Sequence, residues 1–420
     1  MRKIILLLPV LFTNYLFGQT ADIIAKANQL GSDWKFGEAI NLLENRIKTD
    51  PDNAELYYWI GRYSHYLVYD TRPFDKKSDS WSKDRVLTNL KKAVELKPDY
   101  GDAKYFLAVE FGARALEALK SGDTLTYKRE LSEAKSLGGF SLHVVEQGRN
   151  ILKSCDANAI LLVDGDAHLN IIQYIQAVEG FRRDVSLVCI SLLERPYYVK
   201  LVRDGVGNVM KSAPLSCTDN LIMEMHDYKW LENEISIPVS EKARKLHSIN
   251  DSIIDYKWNV KPDDGESGLN TGTAMLVDIF ETNKWERPIH YVYYGLTDIA
   301  GLEDNMKIVG LTARFMPYKV KGTSLEYDKE RFEAVMLNPE NYKDYSDISA
   351  NQQPRVAGLF GNLSRYRLVE YANFCINNGD KEKAEIVLRK MNELMPVENF
   401  PYDAKLKEDV GKLEGRLKDK

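Results

Sequence analysis

The chain has 420 residues, which is long enough for two or three domains of ordinary size. Its composition, with 44% hydrophobic and 28% charged residues, is typical of a globular protein and excludes a fibrous or disordered chain. The formal net charge of −5 excludes a basic surface of the kind that binds nucleic acid.

The first residues, MRKIILLLPVLFTNYLFGQT, have the pattern of a secretory signal peptide. A short basic start precedes an apolar run from Ile4 to Phe17, and the small residue Gly18 follows it. The run is shorter than the roughly 20 residues that span a bilayer. The pattern predicts a signal peptide over 1–18 and a mature protein that is exported, periplasmic or secreted, and has no transmembrane segment.

The segment 19–150 has the spacing of tetratricopeptide repeats, which are helical hairpins of roughly 34 residues with a proline near the end. The second unit fits this spacing only if residues 70–82 are an insertion. A similar hairpin and a capping helix are predicted over 355–420. Counting back from Pro51, Pro98 and Pro396 places small residues where two helices approach closely: Ala27, Ala39, Gly61, Ala93, Ala372 and Ala384. The alternative is a set of ordinary helical hairpins without repeat stacking.

The centre of the chain, 151–325, changes from helical spacing to continuous apolar runs. AILLVDGD and DVSLVCISLL predict parallel strands that are buried on both faces, and the helical pattern between them completes a βαβ unit. RPYYVKLVRDG and TGTAMLVDIFETN predict helices, RPIHYVYYG predicts a strand, and GLEDNMKIVGLTARFMPY predicts one more helix and strand. Residues 205–268 predict loops and short helices.

These patterns predict a fold of the α/β plus all-α class. Tetratricopeptide-type hairpins flank a Rossmann-like, mainly parallel α/β domain over 151–325, and residues 326–354 are a linker. The four cysteines, Cys155, Cys189, Cys217 and Cys375, show no paired spacing, and we expect buried free thiols rather than disulfides.

Four segments in order, VDGDAHLNIIQYIQAVEGFRRDVSLVCISLLERPYYVKLV, DIFETNKWERPIHYVYYG, GLEDNMKIVGLTARFMPY and MPVENFPYD, resemble one family of large polytopic membrane proteins. The similarity is to the soluble C-terminal region of that family, which is common in Bacteroidetes and related to eukaryotic protein O-mannosyltransferases. In the family, glycosyl transfer belongs to a membrane-embedded N-terminal half that this chain does not contain. The family's usual Asn-Gly-Asp loop is Asp164-Gly165-Asp166 here. The resemblance implies an accessory module and carries over no catalytic residue.

Asp164 and Asp166 flank Gly165 directly after the first predicted strand, where ligands collect in an open parallel sheet. Paired carboxylates suit a divalent cation, with His168 as a third ligand. The alternative is a strand-to-helix turn in which Gly165 adopts a positive φ, an aspartate or Asn170 caps the helix, and His168 is a surface or capping residue. We predict ligand contact at Asp164, Gly165, Asp166 and His168, and no catalytic residue. We predict no cofactor and leave a divalent cation open.

Aromatic residues crowd one predicted repeat helix more densely than its packing stripe requires. Such residues favour recognition of a protein, or of a glycan, on a concave surface. We therefore predict a partner-binding surface at Tyr57, Tyr58, Trp59, Tyr63 and Tyr66, and extend it to Tyr69.

The patterns together predict a non-enzymatic binding or assembly module of the cell envelope that acts through protein–protein contacts. The alternative is a metal-dependent, glycosyltransferase-related enzyme of glycan metabolism that uses Asp164 and Asp166.

Overall fold

The computed structural model describes residues 7–67, 84–223, 228–229, 233–260, 268–292, 299–320, 326–345 and 360–418. Tyr69, the predicted insertion over 70–82 and the end of the predicted linker lie outside the described residues.

The chain opens with a series of helices: α1 Leu7–Ser32, α2 Phe36–Ile47, α3 Ala54–Tyr66, α4 Arg85–Leu96, α5 Gly101–Lys120, α6 Thr124–Ser136 and α7 Leu142–Ser154. From α1 to α6, each helix packs against the next. Side-chain caps define two of the starts, because Asn53 accepts from the Glu55 amide and Asp123 from the Thr126 amide. These are the predicted helical hairpins, whereas their assignment as tetratricopeptide repeats stays a prediction.

Small residues set the spacing of the predicted hairpins. A Cβ on Gly61 would lie 2.8 Å from the Leu90 side chain, so that α3 and α4 approach closely only because this position has no side chain. Ala27, Ala39 and Ala372 are likewise fully buried. The small positions read from the sequence are therefore packing positions in the fold.

The strands form one large sheet and two small ones. They are β1 Ile160–Val163, β2 Ser186–Cys189, β3 Tyr228–Lys229, β4 Asn233–Pro238, β5 Asp255–Val260, β6 Gly268–Leu269, β7 Ile289–Val292, β8 Met306–Val309, β9 Thr312–Phe315 and β10 Glu326–Tyr327. The large sheet has six strands in the order β10-β8-β9-β7-β1-β2. It is mixed and mostly parallel, because β1 pairs in parallel with β2 and β7, and β10 with β8.

Helices connect the parallel strands as the sequence predicts. The βαβ unit is β1, α8 Asp166–Ala177 and β2, and it is followed by α9 Pro196–Asp204. Proline at the first position of α9 suits a helix start, because its fixed φ is already helical. The helix α12 Thr271–Asn283 leads into β7, and Asn270 caps it by accepting from the Thr273 amide at 2.9 Å.

Three predicted segments differ from the structure. Residues 306–315 form an antiparallel hairpin instead of a helix and a strand, because Gly310, with φ +82°, allows a tight turn between two short apolar runs. Residues 205–268 contain β3 to β6 with two short helices, α10 Asp219–Met223 and α11 Glu241–His247. Residues 326–345 are not a linker, because β10 joins the sheet and α13 Lys329–Met336 follows it.

The C-terminal helices return to the centre of the molecule. They are α14 Asn362–Asn377, α15 Lys381–Leu394 and α16 Ala404–Lys418. Gln147 on α7 accepts from Tyr345 at 2.6 Å and from Ser364 at 2.9 Å, which ties α7 to the start of α14. The predicted boundary at 150 falls inside α7, and α7 packs against α8 and α13. This helix therefore belongs with the sheet.

The apolar interior has two parts. One continuous core extends from α4 through the sheet to α16, and a smaller core lies within α1, α2 and α3. All four cysteines are buried and free, as predicted. Within the described part of the chain, no helix combines the length and apolar character needed to cross a bilayer.

Candidate functional site

A cavity of about 170 Å³ lies beyond the carboxyl ends of β1 and β2, between α5 and the start of α8. We call it the strand-end cavity. It is lined by His65, Val109, Ala113, Leu116, Asp166, Leu169, Asn170, Cys189, Ser191, Leu192 and Arg195. Ligands of open α/β sheets collect at such strand ends. The cavity is therefore the first candidate site in the described residues.

The two aspartates of the predicted loop have different neighbours. Asp166, in the first turn of α8, lines the strand-end cavity. Asp164 instead accepts a hydrogen bond from the hydroxyl of Tyr291 on β7. Burial raises the pKa of the Asp164 carboxyl, and the hydrogen bond from Tyr291 acts in the opposite direction. Asp164 is thus joined to β7, whereas Asp166 lies on the wall of the cavity.

Gly165 does not make the predicted turn. Its φ is −153° and its ψ is 179°, which is extended backbone, so the prediction of a positive φ is wrong. No side chain caps α8. Asn170, the predicted cap, is buried and its amide nitrogen lies 3.5 Å from the Ala108 carbonyl on α5, where it packs against Gly112. It therefore joins α8 to α5.

His168 belongs to the core. Its side chain is 3% exposed, its ring centroid lies 5.2 Å from that of Phe360, and burial lowers its pKa to about 3. It is not among the residues that line the strand-end cavity. The interpretation as a surface or capping residue is therefore wrong, because α8 turns this side chain inward, whereas ligand contact at His168 stays a prediction.

Metal binding needs ligands from several side chains at one point. Among the residues that the structure describes, no three His, Cys, Asp or Glu side chains come together in a group that could hold a metal ion. Asp164 and Asp166 therefore have no third such residue with them in the described ranges.

The sequence missed two charged or titratable residues of the strand-end cavity. His65 comes from α3, and its Nδ1 lies 2.9 Å from Oε2 of the buried Glu110 on α5. Arg195 immediately precedes the proline that opens α9. Its place after β2, at a strand end, was a signal that could have identified it. His65 offered no such signal, because its place depends on the packing of α3 over α5.

A second candidate site is a groove of about 530 Å³ that is lined by residues of α1, α2, α3 and the link between α1 and α2. We call it the aromatic groove. It is lined by Asn28, Gly31, Ser32, Trp34, Phe36, Trp59, Arg62, Tyr63 and Tyr66. Trp34 is 76% exposed, which is a large apolar surface to leave in water.

The rings of the aromatic groove contact one another. Phe36 and Tyr63 stack with centroids 5.9 Å apart, and Trp59 and Tyr63 stack at 5.4 Å. Arg62 lies 4.9 Å from the Trp59 ring centroid and 5.5 Å from that of Tyr66. These contacts hold the arginine against the rings in a defined position.

The structure divides the five predicted partner-binding residues. Trp59, Tyr63 and Tyr66 line the groove. Tyr58 does not, because it is 2% exposed and its ring packs 5.1 Å from that of Tyr100 in the core. Tyr57 is half-buried and is not among the lining residues. Trp34 and Phe36 were missed, although an aromatic pair at the point where one helix ends and the next begins is an unusual signal.

The fold and these sites define a mixed, mostly parallel α/β domain that is flanked by helical hairpins. A family model described as TMEM260-associated domain 2 matches residues 144–262 and 232–336. The matched ranges contain α/β elements from α7 to α13 and cover slightly less than half of the chain. Over this part the chain is similar to that domain, which is consistent with a family related to O-mannosyltransferases. No curated protein matches the chain.

Proposed function

We propose that the protein is an exported, non-enzymatic binding module of the cell envelope that acts through protein–protein contacts at the aromatic groove. In this proposal tetratricopeptide-type hairpins provide the scaffold, and the partner is a protein of the periplasm or of the cell surface. The observation that carries the proposal is the exposed ring of Trp34 in a groove that is also lined by Arg62 and by partly buried aromatic rings.

The energetics favour a partner at this groove. Tryptophan, tyrosine and arginine carry most of the binding energy in protein interfaces, because they bury a large area and still make polar contacts. The hydroxyl of Tyr63 donates to Asn28 at 2.7 Å, which fixes one ring of the groove before any partner arrives. A surface that is already ordered loses less conformational entropy on binding.

The arrangement of the rings favours a protein over a glycan. Sugars stack on free ring faces, whereas Tyr63 is stacked between Phe36 and Trp59 at interplanar angles of 25°. The exposed Trp34 and the edges of the other rings instead suit apolar side chains of a peptide segment.

The alternative is a metal-dependent enzyme of glycan metabolism at Asp164 and Asp166. It requires both carboxylates to bind one cation. Asp164 is engaged by Tyr291 and Asp166 lines the strand-end cavity, so the local geometry favours the binding module.

Two matched substitutions test the proposal. A partner is captured from envelope extract by cross-linking and purified, and its affinity is then measured for wild type, Trp34→Ala and Leu125→Ala. Trp34 and Leu125 are both highly exposed, at 76% and 81%, but Leu125 lies on α6, away from the groove. We expect Trp34→Ala to weaken binding by about tenfold or more, as for an interface hot spot, and Leu125→Ala to have no effect. Equal losses for the two variants, or full binding by Trp34→Ala, would contradict the proposal.

A further inference from the structure

The short helix α11 is joined to the sheet at its last residue, His247. One ring nitrogen, Nε2, lies 3.0 Å from the carbonyl oxygen of Trp285, and the other, Nδ1, lies 3.1 Å from Nη2 of Arg314 on β9. The same Nη2 donates to the carbonyl oxygen of Leu246 at 3.0 Å. These three contacts hold the end of α11 against the sheet.

The two neighbours of the His247 ring define where its proton lies. Arginine has only donors, so Nδ1 accepts the hydrogen bond from Arg314 with its lone pair. The carbonyl of Trp285 only accepts, so the proton of the neutral ring lies on Nε2. A second proton, on Nδ1, would remove the hydrogen bond from Arg314 and place two cations against each other.

We propose that protonation of His247 releases α11 from the sheet, so that this part of the protein opens in acid while the sheet and its flanking helices stay folded. His247 is thus an acid-sensitive switch built into the α/β domain. Neither His247 nor Arg314 lines the aromatic groove, so the proposal does not depend on the function proposed for that groove.

Few other contacts stabilise α11. It has seven residues, of which Ala243 and His247 are buried, and an isolated helix of this length is not stable in water. Its charged residues form largely exposed pairs, which contribute little to stability: Lys245 with Glu241, Lys242 with Glu286 and Arg244 with Asp251. We therefore expect local opening of α11 to cost less free energy than unfolding of the core.

The charged groups that face His247 from other elements are Arg314 on β9, Asp156 before β1 and His290 on β7. Asp156 already has three partners, His290 at 2.8 Å, Arg331 at 2.7 Å and Arg314 at 3.2 Å. Burial first, and then Arg314, lower the pKa of His247 to about 4, although Asp156 acts in the opposite direction. His290 differs from His247, because a proton on its Nε2 meets the carboxylate of Asp156.

The release has a defined pH window. In the open state the His247 ring takes up a proton near the ordinary pKa of 6.5, whereas in the closed state it does so near 4. The open state therefore binds more protons between these values, and the closed state loses stability as the pH falls through them. From pH 7 to pH 5 the ratio of open to closed α11 should rise about 20-fold.

Native-state hydrogen exchange of the full chain at pH 7 and pH 5 tests the proposal. After correction for the intrinsic exchange rate at each pH, the amides of α11 should speed up about 20-fold. They should also exchange faster than the amides of α8 at both pH values, because their opening is local. Equal protection of α11 and α8 at pH 5, or an unchanged rate in α11, would overturn the proposal.

One substitution removes the titration and keeps the contacts. The amide of His247→Gln offers an acceptor to Arg314 and a donor to Trp285 but takes up no proton, so this variant should lose most of the acid response of α11. His143→Gln is the matched control, because His143 is a second buried histidine, on α7, and this variant should keep the response of α11. Equal responses of wild type and His247→Gln would overturn the proposal.

A measurement on wild type keeps the test decisive if His247→Gln does not fold. The nitrogen chemical shifts of the His247 ring report which nitrogen carries the proton. We expect the proton on Nε2 at pH 7, and a charged ring over the same pH range in which α11 opens. A proton on Nδ1 at pH 7, or a charged ring while the amides of α11 keep their protection, would overturn the proposal.

Discussion

At the scale of single residues, burial decides what a side chain can do. His168 follows two aspartates in the sequence, and histidine is a common metal ligand, yet this side chain packs against Phe360. Its charged form would lie in an apolar environment, and this lowers its pKa to about 3. The residue therefore stays neutral in the folded protein at any pH near neutrality.

This lowered pKa makes stability depend on pH. An unfolded histidine takes up a proton near its ordinary pKa of 6.5, whereas folded His168 does so only near 3. The unfolded state thus binds more protons between these values, and stability falls as the pH falls through that window. We expect His168 alone to lower the free energy of unfolding by about 2 kcal/mol between pH 7 and pH 5.

Urea unfolding of wild type and His168→Gln at both pH values measures this cost. The decrease in the free energy of unfolding between pH 7 and pH 5 should be smaller in His168→Gln by that amount. His143, whose pKa burial also lowers to about 3, remains in both proteins and cancels in the comparison. Identical pH dependence in the two proteins would show that His168 takes up its proton in the folded state near its ordinary pKa.

Neighbouring residues of one helix show why the sites were only partly predicted. Tyr58 and Trp59 are adjacent in sequence, but successive residues of a helix point about 100° apart, so one enters the core and the other lines the aromatic groove. The sequence identified an unusual density of rings. It did not identify which rings face outward, because that depends on how α3 packs against α2 and α4.

At the scale of elements, local sequence signals were sufficient to predict five elements: β1, α8, β2, α9 and α12. Each has a continuous apolar run, a helical period or a proline or asparagine at its start. The strand β10 was missed because it has only two residues, and the hairpin of β8 and β9 was missed because the apolar pattern alone does not show that the chain reverses at Gly310. A strand as short as β10 is stable only through its pairing with β8, which no local pattern indicates.

Substitution by alanine is expected to have a small effect on stability at Gly165 and a large one at Gly310. A Cβ at Gly165 meets nothing within 4 Å and its φ is extended, so Gly165→Ala should cost less than about 1 kcal/mol. Gly310 has φ +82°, and a Cβ there would lie 2.5 Å from the Ser154 hydroxyl oxygen. Gly310→Ala should therefore cost about 1–3 kcal/mol or more.

Thermal and urea unfolding of the two variants checks the pair. The reverse order of stabilities would mean that the loop after β1 is the strained turn, as the sequence interpretation had it.

At the scale of the whole molecule, long-range packing creates the strand-end cavity. Residues of α3, α5, α8 and the segment after β2 meet there, although they are far apart in the chain. The sequence predicted the strand end and Asp166. It did not predict that a helix of the N-terminal hairpins would cover the end of the sheet, because nothing local to either element specifies this contact.

The division of the core into two parts predicts unequal stability along the chain. Leu43 lies in the smaller core of α1 to α3, and Leu131 lies in the continuous core; both are fully buried. Either Leu→Ala change removes about 2–5 kcal/mol of local packing. In native-state hydrogen exchange, Leu43→Ala should speed the amides of α1 and α2 by about 30-fold or more and leave those of α8 unchanged.

Leu131→Ala is the matched comparison and should speed the amides of α5 and α8 together. If Leu43→Ala speeds amide hydrogen exchange in α8 as much as in α1, the two cores unfold as a single cooperative unit.

Because the four cysteines are buried, their thiols resist oxidation and alkylation in the folded chain. Burial raises the pKa of Cys155 and of Cys189 to about 12 and that of Cys217 to about 11. At neutral pH, a thiol of pKa 12 is ionised in roughly one molecule in 100,000, and the thiolate is the form that reacts. Oxidants and alkylating reagents therefore modify these sulfurs at an appreciable rate only after the protein opens. The rate at which the thiols are labelled therefore reports the rate at which the protein opens, and the measurement needs no added probe.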